Sequence, residues 1–169
     1  MRLVLYATQT INGYIASETD ETPWTSAAWK NYRKNAKQFK AIVIGRRTYQ
    51  IMKRVNKFRK IGNPYVIVVS NFSPAESSNN LSYVKSPAEA MQLLKEMKFA
   101  KALVAGGGKL NGSFMKTKYI DEVWLDVDPV VFGTGIKLFY EDFFKAKLKL
   151  LGVKKLPPDT VQLRYKVVK

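Results

Sequence analysis

KALVAGGGKLNGSF, residues Lys101 to Phe114, decides how this chain is read. The apolar run Ala102 to Ala105 has the length of a buried strand. Gly106, Gly107 and Gly108 follow, and Lys109, Leu110 and Asn111 open a helix expected to run to about Lys116. A strand that enters a helix through glycines lets the backbone approach a bound group closely, because no Cβ intervenes. It also directs the N–H groups that lack intrahelical acceptors at whatever lies beyond the helix N-terminus, an arrangement that suits phosphate. Three glycines alone are a modest signal, because they lack the fuller G-x-G-x-x-G spacing.

Working back along the chain, the pattern of strand, turn and helix recurs. Ala41 to Ile44 reads as a buried strand ending at Gly45, and Arg46, Arg47, Thr48 and Tyr49 begin a short helix. Two cations at a helix start oppose its dipole, which a bound anion would offset; taken alone, the junction reads better as two solvated arginines. Tyr65 to Val69 is a third apolar strand, ending in Ser70 and Asn71. Polar groups at the C-terminal ends of strands are where open α/β sheets bind ligands. Arg2 to Thr8 reads as a central strand. Thr10 to Thr22 reads as a loop long enough to be functional, closed by Pro23 and Trp24. Ser26 to Lys37 reads as a helix with Ser26 as its N-cap, Asn56 to Gly62 as a basic loop and Ser73 to Asn80 as a polar turn region. Leu81 to Val84 suits a short edge strand, and Ser86, Pro87 and Glu89 carry the signature of a capped helix reaching about Met97.

Beyond the glycines, Tyr119 to Val131 reads as a long strand with Asp126 and Asp128 on one face and Val123, Leu125 and Val127 on the other. Phe132 to Phe139 is a glycine-bearing loop. Lys145 to Leu156 and Val161 to Val168 form a terminal hairpin around Pro157, Pro158 and Asp159. The order β-α-β-α-β-β-α-β-α-β-β-β specifies one α/β domain spanning 1–169, with a mostly parallel sheet and an antiparallel C-terminal end.

Composition limits the chemistry. The 169 residues include no Cys and no His, which excludes disulfides, a His/Cys zinc site and any histidine relay. No metal is expected, and any acid or base must be Asp, Glu, Lys, Tyr or water. No apolar run approaches membrane-spanning length and no signal-peptide pattern opens the chain, so a cytoplasmic location is expected. The net charge is +16, but the lysines are spread along the whole length. That distribution favours a solvated surface that draws in anionic small molecules over a nucleic-acid interface.

With these pieces in order, nearly the whole chain resembles the dihydrofolate reductase superfamily. That superfamily includes dihydrofolate reductase and the pyrimidine reductase domain of riboflavin biosynthesis, the C-terminal domain of RibD-type enzymes. The resemblance rests on Pro23–Trp24 before the first helix, the GRRTY turn, the strand ending VVSN, the segment YVKSPAEA and the strand–GGG–helix. DEVWLDVDPVVFGTGIKLF resembles the riboflavin-type branch in particular. The resemblance implies an eight-stranded sheet flanked by helices, with NADPH across the C-terminal strand ends. Gly45, Arg46, Arg47 and Thr48 would hold the pyrophosphate and the adenosine phosphate, Ser70 and Asn71 would help bind the 2′-phosphate, and Lys85 would border the adenine. Gly106, Gly107, Gly108, Lys109 and Leu110 would receive the pyrophosphate and the nicotinamide side. Ala7 and Ile15 would contact the nicotinamide, beneath a mobile lid from Asn12 to Thr22.

The chain also departs from the pattern. No acid follows Trp24, where dihydrofolate reductases carry a carboxylate. Asn63 or Pro64 stands where they carry the arginine that holds the folate glutamate, with Arg59 the nearest candidate. The riboflavin-type branch often has Asp where this chain has Asn12. The catalytic assignment is Trp24 with Asp126, Asp126 supplying the missing carboxylate from the opposite wall, with Asp20 and Glu21 on the lid as alternatives. The first expected reaction is NADPH-dependent hydride transfer to a C=N bond of dihydrofolate, a step of tetrahydrofolate biosynthesis. The phosphoribosyl-pyrimidine of riboflavin synthesis is the second expected substrate, and a non-catalytic basic binding module is a third reading. The resemblance accommodates a monomer or a homodimer.

Overall fold

The computed structural model describes residues 1–72, 78–140 and 143–169. Most of the polar turn expected over 73–80 therefore lies outside the described residues. Ten strands are present among those described: β1 (Arg2–Thr10), β2 (Tyr14–Ala16), β3 (Ala41–Gly45), β4 (Tyr65–Val69), β5 (Leu81–Val84), β6 (Lys101–Val104), β7 (Glu122–Asp128), β8 (Ile136–Lys137), β9 (Lys147–Leu156) and β10 (Thr160–Val168). The helices are α1 (Ser26–Ala36), α2 (Arg46–Arg54), α3 (Lys57–Lys60), α4 (Pro87–Glu96) and α5 (Gly108–Lys116). Eight strands form one sheet in the order β5-β4-β3-β6-β1-β7-β10-β9, and β2 pairs with β8 in a separate ribbon. All pairings from β5 to β7 are parallel, while β10 runs antiparallel to both β7 and β9. This is the expected mostly parallel α/β architecture with its antiparallel end.

The central strands are apolar without alternation because both faces of the sheet are covered. Leu3, Leu5, Val43, Ile67 and Val104 pack against Ala90, Leu94, Leu110 and Phe114 of α4 and α5. Val4, Tyr6, Ile42, Ile44 and Val68 face the other way, onto Ala36, Phe39, Tyr49 and Met52 in and around α1 and α2. Helix α4 starts as its sequence specifies: the Ser86 hydroxyl accepts from Glu89 N, and the Glu89 carboxylate accepts from Lys85 N.

Several boundaries differ from the sequence reading, including β8 within the expected loop 132–139, and four show why. The N-cap of α1 is Thr25, whose hydroxyl accepts from Ala28 N, because the Asp128 carboxylate fixes Thr25 by accepting from both its N–H and its hydroxyl. The basic stretch 56–62 holds the one-turn helix α3 instead of continuous loop. The long strand candidate 119–131 shortens to β7, ending just before Pro129, which has no N–H to offer a ladder. The loop after Thr10 contains β2, which gains its partner only from the distant β8.

Candidate active site

The C-terminal ends of β1, β3, β4 and β6 open into one cleft of about 760 Å³. Every residue that the sequence assigns to the cofactor lines it, from Ala7 and Ile15 to Lys109 and Leu110. The cleft lies where the chain order of the sheet reverses, with β6 inserted between β1 and β3, the location at which open α/β sheets form crevices.

Its floor is a fusion of the two glycine turns. Gly45 N donates to Gly106 O at 2.9 Å, so the turn after β3 and the turn after β6 share a backbone hydrogen bond. The Gly106–Gly107 peptide is cis. Gly107 is the N-cap of α5, and a Cβ built on it would meet only Thr48 Oγ1, at 3.6 Å, so it is absence of bulk facing the cleft that glycine provides here. Asn111, fully buried on the next turn of α5, donates to Leu138 O at 2.9 Å, while its Oδ1 has no partner among the described residues.

The rim beside the floor is basic. Helix α2 begins with two arginines, has no acid in its first turn and receives no side-chain cap. The Arg46 guanidinium stacks 4.3 Å from the centroid of Phe72, beyond the end of β4, where Ser70 Oγ accepts from Phe72 N. Gly45 of β3 pairs with Val69 of β4, which brings the GRRT turn beside Ser70 and Asn71, as the sequence reading required. Arg47 points across the cleft mouth and donates through Nε and Nη2 to Asp20 Oδ2, at 2.9 and 2.7 Å.

The loop that carries Asp20 is stitched to the opposite segment. Asn12 Nδ2 donates to Phe132 O, Thr134 Oγ1 donates to Glu18 Oε1, and Leu138 N donates to Gly13 O. Ile15 and Ala16 of the ribbon line the cleft, together with Ile136 and Tyr140.

The other half of the cleft is aromatic. Trp24, buried and stacked on Phe132, lines it with Trp29, Tyr32 and Tyr6. Tyr6 stacks on Tyr32 with ring centroids 4.9 Å apart. An adjoining pocket of about 190 Å³ shares Trp29, Tyr32, Met52 and Lys57 with the cleft and is lined further by Arg33, Lys60 and Ile61. Lys57 Nζ lies 4.4 Å from the Trp29 ring centroid. Burial, with Lys60 nearby, lowers the Lys57 pKa.

Asp126 does not line the cleft. It is fully buried behind the tyrosine pair and accepts from Tyr6 Oη at 2.6 Å, Asn31 Nδ2 at 3.0 Å and Gln162 Nε2 at 2.7 Å. Arg164 extends the network, donating to Gln162 Oε1 and Asn35 Oδ1. Burial raises the Asp126 pKa, against the three donors, which favour the carboxylate. Burial and the neighbouring Asp126 carboxylate hold the Tyr6 and Tyr32 hydroxyls well above the ordinary phenol range. Glu21 is absent from the cleft lining, whereas Asp20 is part of it. Sequence reading missed Tyr6, Trp29, Tyr32 and Lys57 as cleft residues. The available signal for the two helix aromatics was their spacing on α1, Trp29 and Tyr32 being three apart and so on one face.

Residues 2–162 match the family model of the RibD C-terminal domain. The chain belongs to the RibD C-terminal domain family. It is similar to the uncharacterised protein YwjB of Bacillus subtilis, at 29% identity with 97% of each chain covered. Among solved structures it resembles a Shewanella sp. PV-4 protein ascribed to riboflavin biosynthesis, with a TM-score of 0.82, 18% identity and both chains fully covered. It also resembles the diaminohydroxyphosphoribosylaminopyrimidine deaminase/5-amino-6-(5-phosphoribosylamino)uracil reductase of Thermotoga maritima. There the TM-score is 0.74 at 18% identity, over 99% of this chain and 56% of that one. At these identities the structural likeness is one of fold. Family and fold together bear out the superfamily resemblance and the α/β class. The RibD-type relatives do not support dihydrofolate as first substrate, and they favour the riboflavin-type reading that stood second.

Proposed function

We propose that this RibD C-terminal domain protein is a pyridine-nucleotide-dependent reductase. NADPH is its expected donor, and its substrate is a planar pyrimidine-type heterocycle bearing an anionic group, with the phosphoribosyl-pyrimidine of riboflavin synthesis the first choice. One observation carries the reading: a single cleft joins an arginine-rimmed floor of two glycine turns to an aromatic slot, and a basic pocket that shares Trp29, Tyr32, Met52 and Lys57 adjoins it. The floor suits a dinucleotide. Gly107 leaves room for close backbone approach, the first turn of α5 presents N–H groups, and Arg46, Thr48, Ser70 and Asn71 supply charge and hydrogen bonds for phosphate. When bound, the reduced nicotinamide supplies the hydride.

The chain's own residues do the rest. Trp24, Trp29 and Tyr32 present apolar surface to a flat ring and exclude water from it. Arg33, Lys57 and Lys60 hold a phosphate or carboxylate of the substrate in the side pocket, where no carboxylate lines the wall among the described residues. Asp126 acts on the cleft through Tyr6, whose hydroxyl it holds by accepting its proton in a hydrogen bond, and so it positions the tyrosine that lines the slot. The test is NADPH oxidation by purified protein with the phosphoribosyl-pyrimidine and with dihydrofolate in parallel. Turnover of the first alone is expected. Turnover of dihydrofolate alone would restore the folate reading, and turnover of neither would leave a binding module.

A further inference from the structure

The two arginines at the start of α2 are in different states. Arg46 stacks on Phe72 and has no carboxylate partner among the described residues. Arg47 is already occupied: one oxygen of Asp20 takes both its Nε and its Nη2 hydrogens. This is the side edge of the guanidinium, one of those with which arginine grips phosphate through parallel bonds.

The lid is folded so as to deliver that carboxylate. Ser17 N donates to Glu21 O, Asp20 N donates to Ser17 O, and Glu21 N donates to Ser17 Oγ, which closes a tight turn. Asp20 sits in it at φ 65°, in the left-handed region that side-chain-bearing residues adopt uncommonly. The pair crosses the cleft mouth. On one side lies the lid, held also to the 130–138 segment and, near its start, to Thr10, and on the other lies the α2 turn beside the glycine floor. Helix α2 supplies no acid of its own to balance its first turn, so the lid supplies it from outside.

We infer that Asp20 is a resident counter-anion for Arg47, holding the place of a ligand phosphate. An incoming phosphate displaces it and frees the lid tip from α2. The displacement is feasible because Arg47 is 69% exposed in its side chain and Asp20 24%, so solvent weakens the pair. A doubly charged phosphate brings more charge and more acceptor oxygens to the same guanidinium. The inference rests on the cleft taking a phosphorylated ligand.

The experiment is a calorimetric titration of wild type, Asp20→Asn, Arg47→Ala and the double variant with NADPH and, separately, with inorganic pyrophosphate. Each is run at low and at high salt. Asp20→Asn is expected to tighten both ligands by roughly threefold or more at low salt. The gain should shrink at high salt and vanish in the Arg47→Ala background. Hydrogen exchange at residues 17–21 of the wild type should rise on ligand binding toward the level of free Asp20→Asn. Weaker binding by Asp20→Asn would make the pair a clasp that closes over the ligand and would overturn the inference, as would unchanged binding. If NADPH binds no variant while pyrophosphate still tightens in Asp20→Asn, the cofactor reading falls and the counter-anion stands. If neither ligand binds, both fall.

Discussion

Gly108 faces the carbonyl oxygen of Lys137 so closely that a Cβ built on it would stand 2.3 Å away. Tyr140 N also donates to Gly108 O, so the first turn of α5 and the 136–140 segment are packed backbone to backbone. No side-chain rotation relieves a clash of that kind. Gly108→Ala should therefore cost about 1–3 kcal/mol, the range for overpacking a well-packed site, seen as a lower urea midpoint. Gly107→Ala meets only Thr48 Oγ1 at 3.6 Å and should fold with less than about 1 kcal/mol lost. Its effect should appear as weaker dinucleotide binding, since the added methyl occupies the cleft floor. Equal losses of stability in the two variants would contradict the packing.

Cofactor choice should depend on Arg46. It lies against Phe72 beside Ser70 and Asn71, and no carboxylate competes for it among the described residues. Arg46→Ala should weaken NADPH by roughly ten- to a hundredfold, the loss of one charge-assisted phosphate contact. NADH should weaken far less. Dissociation constants for both cofactors in wild type and variant check this, and wild-type affinities that do not differ would remove the phosphate site from this turn.

Asp126 offers a test in both stability and rate. Burial raises its pKa, so the folded state keeps the proton to higher pH than the unfolded chain does. Its contribution is then fully present below the ordinary carboxylate pKa of about 4 and is lost as pH rises through the folded value. Asp126→Asn cannot titrate, so the stability gap between wild type and variant should shift against the wild type as pH climbs from about 4, in urea unfolding at stepped pH. In turnover, Asp126→Asn and Tyr6→Phe should each slow hydride transfer by roughly tenfold or more, through lost alignment of the slot. The double variant should be little worse than either single one, because the two residues act through one hydrogen bond.

The basic side pocket should recognise the substrate and leave the cofactor alone. Lys57→Met and Lys60→Met remove charge while keeping the apolar stem against Trp29 and its neighbours. Each should raise KM for a phosphorylated substrate by about fivefold to tenfold, with the dissociation constant for NADPH unchanged. A KM unaffected by either change would place the substrate's anionic group elsewhere.

The sequence carried the floor of this site better than its walls. Apolar runs ending in glycine are local signals, so the turns at Gly45 and at Gly106 to Gly108 could be located from the residues alone. Their fusion was not legible, because it depends on β6 inserting between β1 and β3, which the runs do not specify. The difference between Arg46 and Arg47 was invisible, because it is made by Phe72 and Asp20, each brought there by tertiary structure. Alternation put Asp126 on the right face of β7. Its depth depends on Tyr6, one strand over, and on α1 closing above it through Asn31. The three-residue β2 and two-residue β8 exist only through each other, so neither has a pattern of its own to read. Ser26 is the better cap by type, and Asp128, far along the chain, selects Thr25 instead.

The hydrogen bond from Gly45 N to Gly106 O has a consequence for how this cleft can diverge. Two turns that share a backbone bond cannot be lengthened, shortened or reshaped one at a time, so drift in either is held in check by the other. Beyond the Gly45–Val69 pairing, residues 70–72 make no backbone hydrogen bond to either glycine turn among the described residues, and Phe72 is half-exposed there. Changes of ligand preference are therefore channelled to a few residues at 46 and 70–72, where a substitution alters what is recognised without disturbing what holds the backbone in place.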